Sequence, residues 1–492
     1  VTLCHMRRYV GFLQKVLAEE SESFALSGEV SAWFDDTTAA LSGIRKVLAK
    51  GPIDNRQRYD ALAALGHAAS HYRETVYRQG KFSATVSQPA NRIKNMLSDT
   101  LVIIDLSIGS NQREDGLFHS YNLLDLQQDA VGVDHLYPML EGQVAAMSAG
   151  TLPPRDAVNV LEVLFDSAMY RADQRSFILY PDPELPGFLE KNRMSAERAE
   201  AIPLLKELLS AGDESIVYRD ADGWCRFNSE IANVDSLRAR LNTLAEVRGA
   251  DLDTARPPIE ALYEEVFQHR AFTGRSGTMF GYEGLGSIYW HMVSKLLLAV
   301  QENFFAALKS GAEEADCRRL GQLYYRVREG IGFNKSPGEY GAVPTDPYSH
   351  TPKHAGASQP GMTGQVKEEV LSRFGELGIR VSDGAVQFQP NLLREREFLT
   401  HVREFRFLDV DDNWQDLSVP ALGLAFTWCQ VPVIYRLDND VAPAITVAWD
   451  DGGEQHLPQL ALPTEVSTEL VQRSGRVRQL TVTFGTPLLF PE

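Results

Sequence analysis

The sequence predicts a mostly α-helical chain that ends in a β-sandwich. Apolar residues recur every three to four positions through roughly the first 330 residues, the composition changes over 330–364, and short segments rich in β-formers follow from Ile379. At 492 residues the chain can bury more than one core. We therefore expect two domains, a helical domain over 1–378 and a β-sandwich over 379–492.

The helical segments follow one another with clear start and stop signals. Proline and glycine pairs such as Gly51-Pro52 and Pro153-Pro154 separate several of them. The periodicity predicts helices over 1–20, 30–49, 57–79, 91–108, 136–149, 154–169, 196–211, 235–247, 258–268, 287–309, 312–329 and 365–377. Because the helices occur in pairs but show no fixed sequence period, we expect an α/α toroid rather than a solenoid.

Strands are predicted in two places. A short hairpin interrupts the helices at 216–227, where Asp222-Gly223 forms the turn. The strands of the β-sandwich are predicted over 379–381, 385–388, 405–407, 424–434, 444–449 and 479–484.

Charge and cysteine content exclude several classes of protein. The chain has 48 Lys and Arg against 66 Asp and Glu, a net charge of −18, which disfavours nucleic-acid and anionic-membrane partners. The apolar stretch at 296–300 is far shorter than the ~20 residues that a bilayer requires, and the N-terminus lacks the pattern of a signal peptide. Four widely spaced cysteines suggest neither disulfides nor a metal site. We expect a cytoplasmic protein without a metal or an organic cofactor.

The first candidate site is the glycine-rich segment 273–287, which precedes a strong helix. Its glycines let the backbone approach a ligand closely. Glu283 stands among these glycines near a helix N-terminus, where N–H groups are exposed. We expect Glu283 to be a sugar-binding acceptor or a catalytic acid or base, with Arg275 supplying positive charge. A tight turn between helices is the alternative.

The second candidate site is the long loop 330–364, which shows no periodicity. A loop of this length in a compact protein is usually functional or disordered, and its prolines lower the entropy cost of ordering it. We expect Asp346 to be a proton donor or a substrate clamp, with His350 as its partner. The other substrate-binding candidates in the loop are Lys335, Tyr340, Tyr348 and His354. The alternative is a loop that only wraps the domain junction.

The third candidate is the Gly/Ser/Thr-rich segment 356–369, which runs into a predicted helix. Such a segment can hold an anion such as phosphate, although the Walker pattern GxxxxGK[ST] is absent. We expect Gln359, Thr363 and Gly364 to contact phosphate or substrate. Thr363 as a simple helix N-cap is an equally good interpretation.

The fourth candidate is a polar loop between two helices. It contains Arg113, Asp115, His119 and Tyr121, and loops near 137–143 and 180–192 again combine carboxylates with aromatic residues. In an α/α toroid the loops at the ends of successive helix pairs gather at one rim. We therefore expect these four side chains to bind substrate.

These features together resemble the (α/α)6 carbohydrate-active enzymes, in particular the group that includes cellobiose phosphorylase and the cyclic β-1,2-glucan synthase modules. Residues 383–393 are similar to the strand that opens the β domain of those enzymes, and Met362-Thr363-Gly364 is similar to their phosphate-holding threonine–glycine step. Segments 282–295 and 344–369 also resemble an uncharacterised bacterial family. The resemblance implies an (α/α)6 toroid, but the catalytic-acid motif of those phosphorylases is not recognisable here.

The expected function is cleavage of a glycosidic bond in an oligosaccharide, with Glu283 and Asp346 as the acid/base pair. Hydrolysis requires two carboxyl groups, which lie ~5–5.5 Å apart in retaining enzymes or ~6.5–9.5 Å apart in inverting enzymes. Phosphorolysis requires one acid and inorganic phosphate as co-substrate. The sequence leaves both open. One alternative is a non-catalytic sugar-binding or scaffold module of a larger enzyme, with a preceding domain or chain as its partner, which the abrupt start at Val1 favours. A polysaccharide lyase is the third option.

Overall fold

The computed structural model describes residues 1–181, 190–248, 252, 254–267, 288, 290–331 and 366–491. The described residues fall into two compact units. The first contains 1–177, 290–331 and 366–491, and the second contains the described part of 178–289. The first unit takes residues from both predicted domains. Helices in the first part of the chain and a multi-stranded C-terminal region are confirmed, whereas the toroid, the sandwich and the division at 378 stay predictions.

The helices lie close to the segments that periodicity predicts. In chain order they are α1 (Thr2–Val16), α2 (Gly28–Leu48), α3 (Asn55–Gln79), α4 (Ala90–Gly109), α5 (Leu140–Ser148), α6 (Pro154–Asp166), α7 (Ala196–Glu200), α8 (Pro203–Ala211), α9 (Val234–Arg248), α10 (Arg256–Phe267), α11 (Trp290–Ser310), α12 (Glu314–Glu329), α13 (Val366–Glu376) and α14 (Thr464–Gln472). None of these described helices is both long and apolar enough to cross a lipid bilayer.

Local chemistry sets where several helices begin and end. Asp54 and Gln57 form a reciprocal capping box at the start of α3, and Gly80 ends that helix in the left-handed conformation with φ 65°. The single helix predicted over 196–211 is two helices. Pro203 causes the break, because it has no N–H to donate and is therefore found at the first position of the second helix, α8.

Many strands pair into short hairpins. In chain order the strands are β1 (Ser23–Ser27), β2 (Thr85–Pro89), β3 (Asn122–Leu126), β4 (Val131–His135), β5 (Tyr170–Arg171), β6 (Ser176–Phe177), β7 (Val217–Arg219), β8 (Cys225–Phe227), β9 (Ile379–Ser382), β10 (Ala385–Phe388), β11 (Arg403–Leu408), β12 (Trp414–Val419), β13 (Gly423–Trp428), β14 (Val431–Leu437), β15 (Ala444–Trp449), β16 (Glu454–Leu457) and β17 (Val477–Phe484).

The C-terminal region contains a five-stranded mixed sheet with the order β13-β14-β17-β15-β16. Strand β14 pairs with β17 in parallel, and the other neighbours are antiparallel. The strand predicted over 424–434 is wrong, because the chain reverses at Cys429 and Gln430. Both residues have positive φ, 51° and 64°, which makes a tight two-residue hairpin turn without glycine.

A buried polar cluster joins α12 to α13, the helix that leads into the C-terminal strands. The Glu376 carboxylate is 2% exposed and lies 2.7 Å from Arg328 Nε and 2.7 Å from Arg373 Nη1. It also accepts a hydrogen bond of 2.7 Å from Tyr324. Since Tyr324 and Arg328 belong to α12 and Glu376 to α13, the cluster fixes α13 directly before the strands.

The second unit has its own core. Helices α7 to α10 pack around the predicted hairpin of β7 and β8, where Gly223 supplies the positive φ of the turn. The Asn192 side chain accepts from Phe227 N at 2.8 Å and donates to Phe227 O at 2.7 Å. Tyr263 is buried against the Phe227 ring and donates to Ile231 O at 3.2 Å. These contacts show a self-contained fold.

Candidate functional site

The polar loop between α4 and β3 contains a tight turn built by Arg113 and Asp115. The Arg113 guanidinium donates twice to Asp115, Nε to Oδ1 at 3.0 Å and Nη2 to Oδ2 at 2.8 Å. Asp115 Oδ1 also accepts from Leu117 N at 3.0 Å, and Gly116 has a φ of 87°. The hydrogen bonds from Arg113 lower the pKa of Asp115, so this carboxylate stays ionised and serves the turn.

A fully buried glutamine fixes the residue after this turn. Gln143 of α5 accepts from Phe118 N at 2.8 Å and donates to Phe118 O at 2.8 Å. Its amide also donates to Met139 O at 3.0 Å. Because a buried backbone N–H or C=O without a partner is costly, this clamp holds the loop on the N-terminal turn of α5. The position of His119, one residue later, follows from it.

His119 stacks on a second histidine that the hairpin of β3 and β4 supplies. The His119 and His135 ring centroids are 3.7 Å apart and their planes differ by 10°. His135 pairs with Asn122 across the hairpin, and its Nδ1 lies 3.1 Å from Asn122 Oδ1. Burial lowers the pKa of His119, and the nearby His135 and Arg113 lower it further, against an opposing effect of Asp115. We infer a neutral His119 ring at pH 7.

A cavity of about 260 Å³ lies beside this histidine pair. Its polar lining includes Asn111, His119, Ser120, Tyr121 and Asn122, and its apolar lining includes Ile108 and Phe118. The His119 Nδ1 atom is buried and has no hydrogen-bond partner among the described residues. The cavity therefore has the groups that bind a small polyhydroxylated molecule.

The close approach of α5 to the loop depends on Gly142. A Cβ atom at this position would lie 2.3 Å from Ser120 Oγ and 3.0 Å from Ser120 Cα. Ser120 itself donates to Met139 O at 3.3 Å. The glycine thus allows the helix to form one wall of the cavity.

The structure brings together part of the predicted substrate-binding set. His119 and Tyr121 both line the cavity, whereas Arg113 and Asp115 pair with each other in the preceding turn and do not line it. The remaining predicted residues lie outside the described part of the chain; they are Glu283, Asp346, His350, Arg275, Lys335, Tyr340, Tyr348, His354, Gln359, Thr363 and Gly364. Their roles stay predictions.

Sequence reasoning missed His135, Asn111 and Gln143. The pairing of Asn122 with His135 depends on the β3–β4 hairpin. We did not predict this hairpin, because apolar and polar residues do not alternate along β3, all of whose residues prove to be exposed. Gln143 carried a usable signal, since it directly precedes the apolar run Val144–Met147, and an amide packed among apolar residues needs buried partners. Within the described residues, no group of three His, Cys, Asp or Glu side chains is close enough to hold a metal ion.

One comparison with known proteins finds a related segment. Residues 185–270 match the family described as GH149 phosphorylase insertion domain 2. The described residues of this segment belong to the second compact unit. No curated protein matches the chain. Over this segment, the chain is therefore related to the glycoside hydrolase and phosphorylase families.

Proposed function

We propose that the chain belongs to a carbohydrate-active enzyme that cleaves glycosidic bonds by phosphorolysis. The observation that carries this proposal is the match of 185–270 to a phosphorylase insertion domain. A helical toroid occurs in hydrolases, phosphorylases and lyases alike, so fold alone does not select a reaction. An insertion domain is a more specific feature, and it favours phosphorolysis over hydrolysis and elimination.

Phosphorolysis requires one proton donor and one phosphate site. A phosphate oxygen attacks the anomeric carbon, the bond from that carbon to the glycosidic oxygen breaks, and a carboxylic acid gives its proton to the leaving oxygen. The products are a sugar 1-phosphate and a shortened saccharide. We propose Asp346 as the acid, with His350 and Glu283 as its partners.

The phosphate site in this proposal combines cations with backbone N–H groups. Arg275 and Lys335 supply positive charge, and the segment with Thr363 and Gly364 supplies N–H donors. Side chains proposed to hold the saccharide are Gln359, Tyr340, Tyr348 and His354. Their placement around one cleft of an (α/α)6 toroid, with a β-sandwich after it, belongs to the same proposal.

The cavity beside His119 is proposed as a contact point for the oligosaccharide. Sugar hydroxyls can both donate and accept, and the polar side chains of Asn111, Ser120 and Asn122 line the cavity together with apolar residues. The neutral state of His119 suits an uncharged ligand. This part of the proposal concerns binding rather than proton transfer.

A second candidate role is a non-catalytic module within a larger carbohydrate enzyme, and α1 provides the observation in its favour. Four large apolar side chains lie on one side of α1 and are 47% to 61% exposed; they are Met6, Tyr9, Phe12 and Val16. Helices usually turn such a row toward a core, and exposed apolar rows mark interaction surfaces. A preceding domain or chain of the same enzyme would cover this row.

The deciding experiment measures sugar 1-phosphate formation from a panel of neutral oligosaccharides with and without inorganic phosphate. We expect phosphate-dependent release by the wild-type protein and a loss of 10²-fold or more in Asp346→Asn, the usual range for a general acid. Glu114→Gln is the matched control, because Glu114 is an exposed carboxylate. Reducing sugar released without phosphate would refute phosphorolysis. Saccharide binding without any turnover would instead favour the non-catalytic role.

A further inference from the structure

A second cleft lies in the C-terminal part of the first unit and shares no residue with the His119 cavity. Its volume is about 310 Å³. One wall is the hairpin of β11 and β12, and the other is formed by the β13–β14 turn and the start of β17. Its lining includes Phe407, Gln415, Gln430, Arg478 and Gln479.

The end of the cleft is rigidly built around Asp409. Its carboxylate accepts from Asp411 N at 3.0 Å, Asn413 N at 2.9 Å and Gln415 Nε2 at 2.8 Å. Gln430, held in the left-handed conformation, donates to Asp409 O at 2.9 Å and so links the two walls. The cleft is therefore a fixed feature of the fold.

The lining offers one aromatic ring and several groups with spare hydrogen-bonding capacity. Phe407 is half-buried and pairs with Gln415 across the hairpin, so both side chains lie on one face. Gln415 and Gln479 use their amide N–H groups on Asp409 and Thr481, and their amide oxygens have no donor among the described residues. The Arg478 guanidinium has one long ion pair of 3.7 Å, with Asp411. The Phe407 ring, the two amide oxygens and the Arg478 guanidinium therefore belong to residues that line the same cleft.

This combination matches the chemistry of a neutral sugar. A sugar ring has an apolar face that packs on an aromatic ring, and its hydroxyls donate to amide oxygens and accept from a guanidinium. The three negative charges of Asp409, Asp411 and Asp416 exceed the single positive charge of Arg478, and this excess disfavours an anionic ligand. The volume is at the small end of the usual ~300–1,000 Å³ range of ligand pockets, which suits one or two sugar units.

We propose that this cleft is a non-catalytic saccharide-binding site for a neutral oligosaccharide. The site would hold a length of the carbohydrate away from the place of bond cleavage. The proposal does not rest on phosphorolysis, since binding at the cleft is measured directly and needs no turnover.

The test measures dissociation constants for neutral tetrasaccharides of glucose, mannose and galactose by ligand-observed NMR. We expect at least one of them to bind the wild-type protein, and Phe407→Ala to weaken that binding about tenfold. Arg478→Ala should weaken it severalfold, because the variant loses a hydrogen-bond donor to the sugar. The variant should still fold, since the exposed guanidinium has little structural role.

Phe405→Ala is the matched control. The Phe405 ring is stacked parallel to Phe407 at 5.8 Å, is also half-buried, and does not line the cleft. Phe407→Leu keeps an apolar side chain and protects the test against simple unfolding, and it should also weaken binding. Equal losses in Phe405→Ala and Phe407→Ala, or no binding of any tetrasaccharide to the wild-type protein, would overturn the proposal.

Discussion

Replacing Gln143 by methionine tests the clamp that positions the His119 loop. Methionine is similar in length and is flexible, so it fills the space without hydrogen bonding. The Phe118 N–H and C=O, both bonded to Gln143 at 2.8 Å, would lose their partners in a region where Phe118 is 4% exposed. Each unsatisfied buried group costs ~1–3 kcal/mol. We expect a total loss of about 2–6 kcal/mol.

Met139 O adds nothing to this expected loss. It also accepts from Gly142 N at 3.2 Å and from Ser120 Oγ at 3.3 Å. The cost of the Gln143 substitution therefore comes from the two groups of Phe118.

Hydrogen–deuterium exchange of a peptide that covers 111–121 gives the local readout. Since 1.4 kcal/mol corresponds to tenfold, the Phe118 amide should exchange at least about 30-fold faster in Gln143→Met. Urea unfolding should show a lower midpoint with an unchanged slope. The control is Gln127→Met, because Gln127 is exposed and its side-chain amide donates to Asp125, which is also exposed. Unchanged exchange at Phe118 in Gln143→Met would refute the reasoning.

Three further predictions follow from the same unit. Gly142→Ala should destabilise the protein by about 1–3 kcal/mol, because the new methyl group collides with Ser120; a thermal shift as small as that of Gly66→Ala, where the space is open, would contradict this. Tyr324→Phe should cost about 1.5–3 kcal/mol by removing the hydrogen bond to the buried Glu376 carboxylate, which urea unfolding would detect as a lower midpoint. Because the folded state lowers the pKa of His119, the unfolded chain binds its proton more readily, so stability should fall as pH drops below about 6.5. His119→Asn should make the loss between pH 7.5 and 5.5 smaller, and an identical loss in both proteins would refute the contribution.

The helical part of the fold could be predicted from sequence because its apolar residues follow the helical period. Helix α11 was expected at 287–309 and occurs at Trp290–Ser310, and α12 was expected at 312–329 and occurs at Glu314–Glu329. The predicted helix boundaries were wrong where a single residue breaks a helix within a segment of helical periodicity. Pro203 split one predicted helix into two, because proline cannot donate the hydrogen bond that a continuous helix needs.

Several strands could not be predicted because their signals are absent. The β3–β4 hairpin has a fully exposed first strand, so nothing in its pattern separates a buried face from a solvent face. The turn at Cys429 and Gln430 lacks the Gly or Asn that usually marks positive φ. Its stability comes from tertiary contacts such as Gln430 with Asp409.

The candidate site was predictable only in its sequence-local part. Arg113 and Asp115, two residues apart, form their ion pair within one turn. The stacking of His119 on His135 depends on a hairpin register, and the clamp on Phe118 comes from Gln143, 25 residues away. Such partners are set by the packing of whole elements rather than by neighbouring residues.

The most direct test of the central claim is the formation of sugar 1-phosphate from neutral oligosaccharides and inorganic phosphate by the purified chain. We expect product that requires phosphate and whose rate of formation falls at least 100-fold in Asp346→Asn, the low end of the usual effect of a general acid. Release of reducing sugar in the absence of phosphate, or turnover unaffected by Asp346→Asn, would contradict it.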